Sequence, residues 1–351
     1  MRISDIEFYL VSLDARAASH SAQSLLVRVA TESMLEGWGE SQVSSTAGQL
    51  EGQRQAVLAA LVGHSIFDVE EALSLDAMAD PALACAVEMA MWDLIGRATE
   101  QPLCHLWGGA YRRRIPLAVR LATDPPDSTV RHARELAEHS LATQIITSCG
   151  EVLGDVAAIA QVREAAGDRA CLRLDGASQY TVEEARDLCS QLEDDSLQFF
   201  LDPLSADHAD ELAALSRQVN VPLGVSATIA RPADVAAMSR SRGPQHVAIE
   251  LPRVGGIARA RECATVATAC GLSPSLGRCV SGGVALAAML QLAASTPGLS
   301  LANECTFHER RDELLIEPLE ISDGMMTLPQ APGLGVEVDR AKVEQLQVSA
   351  Q

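Results

Sequence analysis

Residues 172–204 read LRLDGASQYTVEEARDLCSQLEDDSLQFFLDPL. A short, mainly apolar run ends on Asp175, small and turn-forming residues follow, and an amphipathic pattern leads into a second apolar run that ends on Asp202. Apolar runs of this length read as buried strands, and the interval between them is long enough for a crossover helix. The stretch is therefore a βαβ unit with an acid at the end of each of two successive strands.

The rhythm continues on both sides. From Ile115 onward, IPLAVRLA, TQIITSC, ACLRLD, LQFFLDPL, VPLGVSA, HVAIELP and LSPSLG are each followed by an amphipathic helical pattern. Seven such units in series, with strands that are largely apolar, predict a parallel sheet covered by helices, and this number closes into a barrel more readily than it lies open. Ahead of them, IEFYLVSL and SLLVRVAT alternate as antiparallel strands do, EGWGES supplies a turn-rich stretch, and DPALACAVEMAMWDLIGRATEQPLCHLWGG has an Asp-Pro start and a Gly-Gly stop. The tail LEISDGMMTLPQAPGLGVEVD returns to short strands and Gly/Pro turns. The predicted fold is α/β: a (β/α)7–8 TIM-like barrel over 113–320, an N-terminal α+β capping domain over 1–112, and a C-terminal segment 321–351 that returns to complete the capping domain.

Composition narrows the function classes. The 351 residues are 48% hydrophobic, enough for a sizeable core. A net charge of −20 without clustered Lys and Arg argues against a nucleic-acid partner. No apolar stretch approaches the roughly 18 residues of a membrane span, so a cytoplasmic protein is expected. The nine cysteines are scattered without a C-x-x-C pair, which favours reduced thiols over a zinc site or a disulfide framework. Of the 27 basic residues, 26 are arginines, and the sole lysine is Lys342 in the charged tail. No lysine of the barrel is available as a base.

In a barrel of this kind the C-terminal ends of the strands surround the active site. The polar residues there are Arg120, Thr147, Ser148, Asp175, Asp202, Ser226, Glu250, Ser275 and Arg278. Asp175 and Asp202 end neighbouring strands, where two carboxylates repel unless a cation or a proton lies between them, and Mg²⁺ is the usual cation for oxygen ligands. The plainer readings are a helix cap or an arginine partner for Asp175 and a turn at Asp202-Pro203.

The whole chain resembles the enolase superfamily, in its mandelate racemase and muconate-lactonizing-enzyme branch. The resemblance rests on EGWGES, AVEMAMWDLIGRATEQPLCHLWGG, VREAAGDRACLRLDGASQYTVEEA, FLDPL and VAIELPRVGGIARARECATVATACGL. It implies Mg²⁺ held by acids at the ends of the third, fourth and fifth barrel strands, stabilising an enediolate formed by removal of the proton α to a carboxylate. Asp175 and Asp202 fall on the first two ligand positions, and the third falls on Ser226 and Ala227. The family's K-x-K bases fall on Ile146-Thr147-Ser148, its sixth-strand base on Glu250, and the histidine of some members on Arg278. A pair of Glu250 with Arg278 or Arg253 is expected, because a carboxylate buried in a barrel mouth needs a compensating charge.

Three functions follow as expectations. The first is metal-assisted chemistry α to a carboxylate, of isomerase or lyase type, with Mg²⁺ on Asp175 and Asp202. The second is a non-catalytic barrel that binds a small anionic metabolite or a protein partner. The third is metal-free acid–base catalysis by Asp202 and Glu250. The catalytic candidates are Glu250 and Arg278, the substrate-binding ones Arg120, Ser148 and Ser226, and in the second reading Arg120 and Arg278 supply the positive charge. The partner expected is a small carboxylate metabolite, and a homo-oligomer is expected.

Overall fold

The computed structural model describes residues 1–13, 22–122, 127–192, 196–277, 282–305 and 314–348. Strands β1 (Ile3–Leu13), β2 (Ala22–Thr31) and β3 (Glu36–Gln42) form an antiparallel sheet in chain order. It packs on the helix Pro81–Ala98, which Asp80 caps by accepting the N–H groups of Ala82 and Leu83 at 2.9 and 3.2 Å, with Pro81 at its first position. The glycines of EGWGES are explained by that packing. A Cβ on Gly39 would lie 1.9 Å from the Ala86 carbonyl oxygen, and one on Gly37 would lie 2.3 Å from that of Ala90. Strand and helix backbones thus touch directly.

The barrel strands are β4 (Arg114–Arg120), β5 (Thr143–Thr147), β6 (Cys171–Asp175), β7 (Phe199–Leu201), β8 (Leu223–Val225), β9 (His246–Ile249) and β10 (Ser273–Leu276), paired in parallel in that order. An eighth strand of two residues, β11 (Asn303–Glu304), pairs in parallel with β4. It reaches β10 through the Asn303 side-chain oxygen, which accepts the Leu276 N–H at 2.9 Å. The tail divides its packing. β12 (Ile321–Ser322) and β13 (Met325–Thr327) form a hairpin whose second strand adds antiparallel to β4, whereas the end of the chain returns to the capping sheet, with the Val348 N–H donating to the Leu10 carbonyl at 2.8 Å. Among the described residues no helix is long and apolar enough to cross a membrane.

Buried acids join the two domains. Glu40, 1% exposed, accepts the N–H groups of Gly282 and Ala285 at 2.5 and 3.1 Å, at the start of the barrel helix Gly283–Ser295, and the Ser24 hydroxyl at 2.8 Å. Glu88, fully buried, accepts those of Ile257 and Ala258 at 2.5 and 3.0 Å, at the start of the helix Ile257–Ala269, and the Trp92 indole N–H at 3.2 Å. Helix N-termini present orphan donors and a positive dipole end, so an acidic side chain there satisfies both. Gly256 has φ +131°, and a Cβ on it would lie 1.7 Å from Glu88 Oε2. Asp93 completes the joint by accepting from the Trp38 and Leu334 N–H groups and pairing with Arg97 at 2.9 Å.

Truncating Glu40 to Ala should cost about 2 kcal/mol or more, the worth of charge-assisted hydrogen bonds whose donors stay buried, as read from urea unfolding. Burial pushes the Glu88 carboxyl up to about 7, against the pull of its three donors. Its folded value then lies above its unfolded one, so the stability it contributes is complete below the ordinary carboxyl range and is lost as pH rises to about 7. Urea melts across that window should show a decline that is smaller in Glu88→Gln, and equal slopes in the two proteins would refute a titrating Glu88.

Candidate active site

Side chains alternate along a strand, so in each barrel strand one residue in two faces the interior. In β4 these are Ala118 and Arg120, in β5 Ile145 and Thr147, and in β6 Arg173 and Asp175. Ala118, Ile145 and Ala302 pack together as a small interior cluster, whereas Ile146 belongs to the large core that includes the surrounding helices. The expected register of β5 is therefore corrected by one residue: Ile145 and Thr147, rather than Ile146 and Ser148, face the barrel interior. Ser148 instead joins a buried trio, its hydroxyl 2.7 Å from both Asp155 Oδ2 and the Tyr180 hydroxyl.

At the mouth, Arg120 reaches across the barrel. Its Nη1 lies 2.9 Å from Asp175 Oδ2 and donates to the Thr147 hydroxyl at 2.8 Å, and its Nε lies 2.9 Å from Glu304 Oε1. The Asp175 and Glu304 side chains are only 2% and 4% exposed, so both interactions act at low dielectric. Burial alone would lower the Arg120 pKa, but Glu304 and Asp175 more than offset it and hold the group above its ordinary value. Arg120 Nη2 is buried with no hydrogen-bond partner among the described residues.

Asp175 Oδ1 accepts the Ala177 N–H at 2.9 Å. Asp202 sits in the left-handed region, φ +42°, and turns both oxygens onto the next strand end. Oδ1 accepts the Ser226 N–H at 2.8 Å, Oδ2 accepts the Ser226 hydroxyl at 2.5 Å, and the Ala227 N–H lies 3.3 Å from each. Burial raises the Asp202 pKa, the Ser226 and Ala227 donors oppose that shift, and the Asp175 charge adds to it. Glu250 pairs with Arg253 at 3.3 Å, on a side chain that is 42% exposed. Arg278, like Val280, lies outside the described residues.

One layer deeper the barrel holds a second arginine, Arg173. It donates through Nε to Gln198 Oε1 at 2.7 Å and through Nη1 to the Ala302 carbonyl at 2.9 Å, and its guanidinium carbon lies 4.6 Å from the Phe199 ring centroid. Phe199 stacks on His246 at 3.7 Å, and His246 Nε2 is 3.1 Å from the Ser275 hydroxyl. Burial lowers the Arg173 pKa to about 10 and, with the Arg173 charge nearby, holds His246 well below its ordinary value.

This donor set does not fit Mg²⁺. A divalent cation needs several carboxylate lone pairs directed at one point. Here the oxygens of Asp175 face a guanidinium and an amide N–H, those of Asp202 face Ser226 and Ala227, and the third position carries a hydroxyl that itself donates to Asp202. No three His, Cys, Asp or Glu side chains are grouped to hold a metal among the described residues. The structure thus brings Arg120 and Asp175 together, joins Asp202 to Ser226 and places Ser148 elsewhere. Sequence reasoning missed Glu304, whose signal is a lone acid in the polar pair Asn303-Glu304 after the apolar LSLA. A two-residue strand is too short to show a period.

Residues 12–108 match the family described as mandelate racemase / muconate lactonizing enzyme, N-terminal domain, and residues 128–342 match the family described as enolase C-terminal domain-like. Muconate cycloisomerase 1 of Rhodococcus opacus is 26% identical over 265 residues, which cover 74% of this chain and 70% of that protein. A crystal structure of an isomerase from Streptomyces coelicolor A3(2) superposes with a TM-score of 0.88 at 28% identity, covering 98% of each chain. The muconate lactonizing enzyme from Pseudomonas putida superposes with a TM-score of 0.91 at 20% identity, over 99% of this chain and 100% of that one, which shows the common fold.

If Arg120 and Glu304 form a coupled pair, Arg120→Met should cost about 3 kcal/mol or more, because it strands the buried carboxylates of Asp175 and Glu304, and Glu304→Gln should cost less, because Arg120 keeps Asp175. The double variant should cost clearly less than their sum in urea melts, and additivity within about 0.5 kcal/mol would show the pair to be uncoupled.

Proposed function

The chain belongs to the mandelate racemase and muconate-lactonizing-enzyme branch of the enolase superfamily, and on that footing we propose that it binds a small carboxylate at its barrel mouth without the lysine-based proton abstraction that the resemblance implies. One observation carries the reading: Arg120 is fixed between Asp175 and Glu304, and its Nη2 has no hydrogen-bond partner among the described residues. A guanidinium held in one orientation by two carboxylates and the Thr147 hydroxyl keeps Nη2 aimed in one direction, so that a carboxylate oxygen reaching it meets a donor that is already oriented. Two other acids at the mouth are occupied in positioning, Asp202 by Ser226 and Ala227 and Glu250 by Arg253.

Proton removal from carbon needs a base within reach. The single lysine, Lys342, lies in the helix Arg340–Leu346, 3.9 Å from Asp339, and the inward positions of β5 are Ile145 and Thr147. A second reading, metal-free acid–base turnover, is favoured by the raised pKa of the buried Asp202. Its oxygens are already engaged as acceptors, which makes it the weaker base.

A panel of mono- and dicarboxylates, including the muconate for which relatives are named, separates the two readings. Binding predicts a ligand-dependent rise in melting temperature that is lost in Arg120→Gln, with no deuterium entering the ligand from D2O. Exchange at the carbon next to the carboxylate, abolished by Asp202→Asn, would replace binding with acid–base catalysis.

A further inference from the structure

We infer that Arg120 is a built-in substitute for the divalent cation at this barrel mouth, supplying the positive charge that Asp175 and Glu304 share. Two carboxyl groups on different strands, Asp175 at the end of β6 and Glu304 at the end of β11, are almost entirely shielded from solvent and converge on one guanidinium from β4. Buried acids brought this close require positive charge between them, and a metal or an arginine can each provide it. Here the guanidinium does so with both Nε and Nη1, while the Thr147 hydroxyl takes a third hydrogen bond that fixes its plane.

The remaining ligand positions are closed by the same logic. Asp202 is clamped by two N–H groups and the Ser226 hydroxyl, and that hydroxyl stands where the resemblance expects a third acid. A divalent cation entering the mouth would have to displace Arg120 from Asp175 and would then lie beside a permanently charged group. Arg120 therefore excludes the ion whose place it takes. This goes beyond the carboxylate reading, and the two fail separately, because metal binding is measured with no carboxylate present.

The experiment is a Mn²⁺ titration of the full chain, following free Mn²⁺ by electron paramagnetic resonance and the melting temperature in parallel. The wild type is expected to leave millimolar Mn²⁺ free and its melt unchanged. Arg120→Ala should gain Mn²⁺ binding, with a melting temperature that rises with Mn²⁺, and Arg120→Ala/Asp175→Asn should lose that gain. Arg120→Lys, which keeps the charge, should bind no more Mn²⁺ than wild type. If Arg120→Ala is poorly folded, Arg120→Gln takes its place and the same gain is expected. Stoichiometric Mn²⁺ binding by the wild type that Asp175→Asn abolishes would overturn the inference, as would a folded Arg120→Ala or Arg120→Gln variant that leaves Mn²⁺ free.

Discussion

The arrangement of this molecule depends on acids of the capping domain that accept the first N–H groups of barrel helices. Glu40 and Glu88 reach the starts of the helices Gly283–Ser295 and Ile257–Ala269, which follow β10 and β9. A helix that follows a strand of a parallel barrel begins at the C-terminal end of that strand, which is also where side chains gather into a mouth. The contacts that hold the cap therefore also fix its position beside the site. Their geometry leaves little freedom, since Gly256 has no room for a Cβ against Glu88, and Gly37 and Gly39 lie on the helix that carries Glu88.

Inside the barrel, two arginines are stabilised in different ways. Arg120 is matched by carboxyl groups, which raise its pKa despite burial, whereas Arg173 is matched by an amide oxygen, a carbonyl and the face of Phe199, and burial lowers its pKa. Dipoles and a ring stabilise a buried cation less than a carboxylate does. The upper layer thereby becomes an ion-paired platform open to the mouth, and the lower one a stacked floor of Arg173, Phe199, His246 and Ser275 that closes the barrel beneath it.

Much of this architecture is legible in the amino-acid sequence. The apolar runs and the intervals between them specify a barrel preceded by an α+β domain, because burial on both faces of a strand and on one face of a helix leaves a periodic trace in the chain. The motifs EGWGES and VEMAMWDLIG mark the capping domain, although nothing in them reveals that Glu40, Glu88 and Asp93 serve as its joints to the barrel. Asp175 and Asp202 are identifiable as strand-end acids, but their partners are not. The structure gives Arg120 to the first, from a strand two places away, and Ser226 to the second.

The sequence by itself determined the fold class, the number and order of most strands, the acids at the strand ends and the lack of a lysine in the barrel. Tertiary structure alone decided which side chains face inward on β5, where a shift of one residue exchanges Ile146 and Ser148 for Ile145 and Thr147. It also decided that the two-residue strand β11 exists, and that Glu304 meets Arg120 across 184 positions of chain. The reason is physical. Periodicity records whether a residue is buried, a local property of its own strand or helix, whereas the partner of a buried charge is set by closure of the sheet, which joins strands that are distant in the chain.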